Sequence, residues 1–199
     1  MASKVLLTAF EPYERWPKNS SWLALIALTR DFEDANIDLI TRRYPVDLSE
    51  MSERLRQDLQ ADFDLAVHLG QSPGSSVIKL ESVGLNVRTD HSPLLEGAPE
   101  AYRSPLPLPS MATQLIEAGI PAEVSHHAGT YLCNASLYLS QHYSHSFGFQ
   151  TKSVFIHLPL ATEQVADGIR TGRCGAMASM DPGVCATAIA HVIRMACNG

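Results

Sequence analysis

No apolar run in this 199-residue sequence approaches the roughly 18–20 residues that a membrane-spanning helix requires, and no basic stretch leads into an apolar one near the start. Neither a transmembrane span nor a secretion signal is expected, and the cytosol is the expected compartment. Positive charge is also sparse: 15 lysines and arginines stand against 21 aspartates and glutamates, a net charge of −6. A chain of that sign has little to draw it to a nucleic acid or an anionic membrane, so neither is expected as a partner. Cysteine is scarce too. Its four copies, Cys133, Cys174, Cys185 and Cys197, form no C-x-x-C pair, so a structural zinc site has little support. In a reducing compartment all four are expected to be free thiols. No internal repeat, low-complexity tract or linker interrupts the chain, and residues 1–199 read as one domain.

Apolar segments alternate with turn-rich ones along the whole length. Lys4–Thr8, Ile37–Arg43, Asp64–Leu69, Ala122–His126 and Ser153–His157 are short apolar runs that predict strands. Trp22–Leu28, residues 48–61, Ala112–Ala118, Tyr131 to about Tyr143, and about 162–170 and 183–196 have helical composition or spacing. Ser20 or Ser21 is a candidate cap for the first helix, and Asp181-Pro182 opens the last. Residues 76–87 largely alternate polar and apolar side chains, which predicts a two-faced strand in a hairpin. The proline-rich stretch 89–110 predicts no regular structure. Strands alternating with helices make this an α/β protein with a mostly parallel central sheet.

Gly70-Gln-Ser72-Pro73-Gly74 fits the G-x-S-x-G nucleophile elbow, with a strand before it. The residue after an elbow serine lends its N–H to the oxyanion, and proline has none. Losing one such donor costs about 3 kcal/mol of transition-state stabilisation. A strand pattern rather than a helix follows. The segment therefore reads as a turn at the carboxyl end of a strand, where α/β sheets bind ligands.

Cys133 is the stronger nucleophile candidate. It lies in the first turn of a predicted helix, after Ala128-Gly129, where the helix end favours a thiolate. The spacing alone suits a buried structural cysteine equally well. His157 ends an apolar strand, and parallel strands gather their carboxyl ends, which would bring it toward Cys133 as a base and acid. Glu81 stands among Val77, Ile78, Leu80, Val83 and Leu85, where a carboxylate needs a partner; an imidazolium suits it.

These boxes together resemble the pyroglutamyl peptidase I (pyrrolidone-carboxylate peptidase) family of cysteine peptidases over nearly the whole chain. The resemblance runs through Thr8-Ala-Phe10-Glu-Pro-Tyr13, Asn19-Ser-Ser, Pro45-Val46, His68-Leu-Gly70-Gln71, Glu81 and Asn86. It continues through Ala101-Tyr102, Ala128-Gly-Thr-Tyr-Leu-Cys133-Asn134, Phe155-Ile-His157-Leu-Pro159 and Glu163-Gln164. It implies a three-layer α/β/α sandwich that needs no cofactor or metal and removes the pyroglutamyl residue from peptide amino termini through a thioester acyl-enzyme. It implies Cys133 as nucleophile, His157 as general base and acid, and Glu81 as the orienting carboxylate. It places Phe10 and Tyr13 around the lactam ring, Asn19 on the lactam's polar edge and Gln71 on the pocket wall. Homotetramers are common in the family.

The sequence also departs from the pattern. Ser75 stands where the family usually has arginine, and the segment after Asn86 is short: Val87-Arg88-Thr-Asp90-His91-Ser-Pro93. Arg88, with Asp90, is expected to do the same work on the substrate side after a local shift, and His91 is the alternative replacement for the arginine. His127 stands where a smaller residue is expected. Three other readings are a family member that binds pyroglutamyl termini without cleaving them, an esterase using Ser72, and a metal-dependent hydrolase using His126, His127, His142 and His145. Cys185 is expected in the core, Cys197 at the frayed end of the last helix on another face, and Cys174 in a loop.

Overall fold

A computed structural model of the chain describes residues 2–198. The order of elements is β1 (Ser3–Phe10), α1 (Ser20–Asp31), β2 (Ile37–Tyr44), α2 (Leu48–Leu59), β3 (Leu65–Gln71), β4 (Ile78–Glu81), β5 (Val83–Leu85) and β6 (Ala101–Arg103). There follow α3 (Leu108–Glu117), β7 (Ala122–Ser125), α4 (Leu132–Phe147), β8 (Lys152–Leu158), β9 (Leu160–Ala161), α5 (Thr162–Arg170), β10 (Ser179–Met180) and α6 (Pro182–Asn198). The central sheet has six strands in the order β2-β1-β3-β8-β4-β7. Its first four strands are parallel to one another; β4 runs antiparallel to β8, and β7 is parallel to β4.

The reversal at β4 has a simple cause. Only residues 72–77 separate β3 from β4, and a parallel return needs a crossover of about a dozen residues or more. The short turn sends the chain back down the sheet, one place beyond β8. Residues 76–87 accordingly form no hairpin. β4 ends at Glu81, and β5 leaves the main sheet to pair antiparallel with β6. The proline-rich stretch is also more ordered than expected: α3 starts at Leu108, with Pro107 as its N-cap and a proline in its first turn. There a missing N–H is harmless, because the first helical N–H groups have no intrahelical partner.

Alternate residues of each strand face opposite layers. Val5, Leu7, Val67, Leu69, Val154 and Ile156 join the core under α1, α3 and α6. Leu6, Phe10, Ala66 and Phe155 join the core under α2 and α4. The result is the α/β/α sandwich. A smaller apolar cluster of Trp16, Leu160 and Val165 packs α5 against the loop after β1. Among the described residues no helix is long and apolar enough to cross a membrane.

One buried polar pair ties the sheet's stability to pH. His68 on β3 is fully buried; its Nδ1 is 2.8 Å from Oγ1 of Thr8, and its Nε2 has no partner. Burial pushes its pKa down to about 3. The unfolded chain binds a proton at His68 near pH 6.5, and the folded chain refuses it until about pH 3. Stability from this group is present above pH 6.5 and is lost as pH falls toward 3, by up to about 1.4 kcal/mol per pH unit. His68→Asn, which keeps a hydrogen-bonding group near Thr8 but cannot titrate, is expected to flatten the acid limb of the melting temperature between pH 6 and 4. An acid limb of unchanged slope would contradict this.

Candidate active site

The carboxyl ends of the parallel strands carry the site. Phe10 ends β1, Gly70 and Gln71 end β3, and His157 is the penultimate residue of β8. Phe10, Gly70 and Gln71 border a hollow of about 190 Å³, with Tyr13, Asn19, Val46, Tyr131, Leu132 and Cys133 completing its wall. The lining is mainly apolar with a few polar groups, as expected of a small-ligand pocket.

Cys133 is the second residue of α4, whose N-cap Tyr131 makes no side-chain cap. The sheet brings it to His157 by a route the strand pattern did not suggest. β7 precedes α4 but runs antiparallel to β8, so their carboxyl ends point in opposite directions. The connection 126–131, turning at Gly129 with φ +82°, redirects the chain toward the end of β3. There Cys133 Sγ would lie 3.2 Å from a Cβ placed on Gly70, and the same Cβ would collide with the Phe155 ring. Only glycine fits at position 70. The ring and the sulfur occupy the space a side chain would take.

Register sets the next two groups. Glu81 pairs with Phe155 and Lys79 with His157 across the antiparallel β4–β8 ladder, so Glu81 and His157 are diagonal neighbours on the α4 face. Nδ1 of His157 and Oε1 of Glu81 are 2.8 Å apart, with side-chain exposures of 12% and 1%. The carboxylate accepts, so Nδ1 carries a hydrogen and Nε2 is left to deal with the sulfur. Burial opposes charge on His157, but its side-chain contacts with Cys133 and Glu81 outweigh that and raise its pKa to about 9. Burial likewise opposes charge on Glu81, yet the hydrogen bond with His157, the neighbouring Ser125 hydroxyl and the nearby positive charge leave its carboxyl below the usual range. Both shifts favour carboxylate beside imidazolium. Phe155 meets the imidazole edge-on at 4.8 Å between ring centres and limits its tilt.

Of the remaining predicted residues, Phe10, Tyr13, Asn19 and Gln71 all border the hollow. Asn19 is also the N-cap of α1: its Oδ1 accepts from the backbone N–H and the hydroxyl of Ser21, and its Nδ2 donates to Glu11 O at 2.9 Å. One Nδ2 hydrogen remains. Gln71 accepts at Oε1 from Ser20 N–H and from Nε2 of Gln164, both at 2.8 Å, while its own Nε2 is buried without a partner. The backbone donor fixes which end of the amide is oxygen. Burial raises the pKa of Tyr13 despite its contact with Gln71. Arg88 is elsewhere. It is exposed, on the wall of a second hollow of about 200 Å³ with Leu48, Leu94 and Asp90, which shares Tyr131 and Leu132 with the first. Ser75 caps its own turn by donating to Val77 O.

Ser72 lies in the β3–β4 turn with its N–H bonded to Leu158 O, and a strand rather than a helix follows. Three of the four histidines considered as metal ligands have separate partners: His126 with Ser82, His127 with Gly129 N–H, and His142 with Tyr102. Among the described residues no three His, Cys, Asp or Glu side chains are grouped to hold a metal. Sequence reasoning passed over Val46, Tyr131, Gln164 and Ser125 as parts of the site. The first three lay in boxes already noted for resemblance; Ser125 needs the β4–β7 register.

The sequence profile of the pyroglutamyl peptidase family matches residues 3–197. A pyrrolidone-carboxylate peptidase of Thermococcus onnurineus is 38% identical over 176 residues, covering 82% of this chain and 87% of its own. One of Pseudomonas fluorescens is 35% identical over 180 residues, 83% of each chain. Among solved structures, pyrrolidone carboxyl peptidase from Pyrococcus furiosus superposes with a TM-score of 0.87 at 33% identity over 97% of both chains. That of Fervidobacterium islandicum AW-1 superposes with 0.86 at 30% identity over 96% of both.

Proposed function

The chain belongs to the pyroglutamyl peptidase family and is a cysteine-type hydrolase that removes the pyroglutamyl residue from peptide amino termini; within that activity we propose that Cys133 is the nucleophile, His157 its base and acid, and Glu81 the orienting carboxylate. The observation that carries the assignment is the buried Glu81–His157 pair, which contacts Cys133 at the wall of the hollow.

The lactam ring fits between Phe10, Tyr13 and Val46. Its carbonyl oxygen accepts from Nε2 of Gln71, the buried donor that otherwise has no partner, with the spare Asn19 hydrogen beside it. The sulfur of Cys133 bonds to the acyl carbon, and its proton passes to Nε2 of His157. The first N–H groups of α4, that of Cys133 among them, face the developing oxyanion. The C–N bond then breaks, His157 gives the proton to the departing amine, and a thioester remains. Water, deprotonated by His157, attacks the thioester and frees pyroglutamate and the thiol. Every atom in this sequence comes from the enzyme, the substrate or water.

Arg88 belongs on the side of the departing peptide, because its hollow lies across Tyr131 and Leu132 from the ring pocket. Exposed apolar side chains on α3, α5 and α6 (Ile116, Ile169 and Val184) are compatible with the homotetramer that the family resemblance implies.

A free amino terminus would bring an ammonium into an apolar pocket with no counter-charge. Wild-type kcat/KM for a pyroglutamyl amide reporter is therefore expected to exceed that for the prolyl analogue by on the order of 10³ or more. Gln71→Leu is expected to lose about tenfold or more of that preference. Equal turnover of the two reporters, or none of the pyroglutamyl one, would contradict the reading; the latter is what a binding-only member would give.

A further inference from the structure

Glu81 has two carboxylate oxygens, and the bond to His157 uses one. Oε1 faces Nδ1 at 2.8 Å, while Oε2 is sealed from solvent with no hydrogen-bond partner at normal distance. A buried anionic oxygen without a donor is destabilising enough to call for one within reach. Register names the neighbour. β4 and β7 are parallel with Glu81 directly beside Ser125, so the two side chains share the α4 face. Oγ of Ser125 accepts from the His127 N–H at 3.4 Å, which occupies its acceptor side and leaves its hydrogen to give. The other candidate donors are committed. Ser82 Oγ is 2.6 Å from His126, and Lys79 Nζ is 3.7 Å from Glu123.

We propose that Ser125 is a positioning residue for catalysis, its hydroxyl donating to Oε2 of Glu81 and extending the Cys133–His157–Glu81 chain by one link. The inference rests on the triad assignment above. With both oxygens held, the carboxylate cannot rotate, Nδ1 keeps its proton, and Nε2 stays turned to the sulfur. A neighbouring hydroxyl that lowers the Glu81 carboxyl agrees with this geometry. Without the hydroxyl the anion is less well held, so it stabilises the imidazolium less, and His157 loses its proton at lower pH.

The test compares Ser125→Ala and Ser125→Thr, each in the wild-type and Glu81→Ala backgrounds. Ser125→Ala is expected to lower kcat about tenfold with KM little changed and to move the alkaline limb of kcat/KM to lower pH. Ser125→Thr, which keeps the hydroxyl, is expected to recover most of both. In the Glu81→Ala background the serine substitution should change kcat less than about twofold. The other charged groups on this face are His157 and Lys79; in a Lys79→Met background the shift of the limb should persist. A wild-type kcat and alkaline limb in Ser125→Ala would overturn the inference. So would an equal loss in both backgrounds, or no recovery by threonine at an unchanged melting temperature. Full activity in Glu81→Ala alone would overturn the triad assignment and this inference together, which separates the two failures.

Discussion

Cys133→Ser is expected to reduce kcat/KM for a pyroglutamyl amide by about 10⁴-fold or more, with the melting temperature close to that of the wild type. Serine keeps the shape and removes only the readily ionised sulfur, so His157 faces a far less acidic proton and a weaker nucleophile. The substitution lies at a half-buried helix start and opens no large cavity. Thiol alkylation should give the same loss, and a pyroglutamyl ligand should slow it. Cys185 is no competitor for the reagent, since burial pushes its thiol up to about 12. Full activity after stoichiometric alkylation at Cys133 would exclude it as nucleophile, as would loss of activity in Ser72→Ala with Cys133→Ser still active.

Glu81→Gln carries the second large effect. The amide fits the same space but holds no charge, and it can turn an N–H toward Nδ1, favouring the wrong tautomer. A drop in kcat of roughly 10²–10⁴ is expected. The imidazolium also loses the carboxylate that helps hold its pKa at about 9. In the wild type this raised value contributes stability fully below the unfolded pKa of 6.5, and that stability is lost as pH rises through 9. The variant should therefore show a flatter decline in melting temperature between pH 6.5 and 10 and an alkaline limb of kcat/KM at lower pH. An unchanged limb would mean that Glu81 does not hold the imidazole. Acting in the opposite direction, buried His68 weakens the fold below pH 6.5, so the two histidines together place their combined stability maximum near that pH.

Much of this was legible in the residues, and the exceptions have physical reasons. The apolar runs at Lys4–Thr8, Ile37–Arg43 and Ser153–His157 became β1, β2 and β8, and the spacing of Leu48, Met51, Leu55 and Leu59 became α2, with Met51, Leu55 and Leu59 in its buried stripe. These elements bury one side of a regular period, and period is what sequence displays. Sheet order is not periodic. That β8 inserts between β3 and β4 cannot be read along the chain, although the short 72–77 turn already forbade a parallel return. The convergence of Cys133 with His157 was expected from parallel strands gathering their ends; the structure reaches it instead through an antiparallel β7 and the turn at Gly129. α3 began four residues early because two prolines read as loop where they serve as a helix start.

The site divides in the same way. Glu81 drew notice as a carboxylate among apolar neighbours, a local signal. The orphan Nε2 of Gln71 and the orphan Oε2 of Glu81 depend on which distant groups already occupy the other end of each side chain, and composition cannot show that. Arg88 shows the converse. The family resemblance made it a candidate, as a stand-in for an arginine missing at Ser75, but the loop after Asn86 is clamped by Asn86–Leu95 hydrogen bonds and leaves the guanidinium outside the ring pocket.

The most direct measurement is rapid acid quenching of wild-type enzyme with a pyroglutamyl amide substrate, followed by proteolysis and mass spectrometry of the α4 peptide. A pyroglutamyl group in thioester linkage on Cys133, absent from Cys133→Ser and from a His157→Ala variant that can neither take the thiol proton nor protonate the departing amine, is the expected result. An acyl group found on Ser72 instead, or turnover in Cys133→Ser at the wild-type rate, would contradict the account.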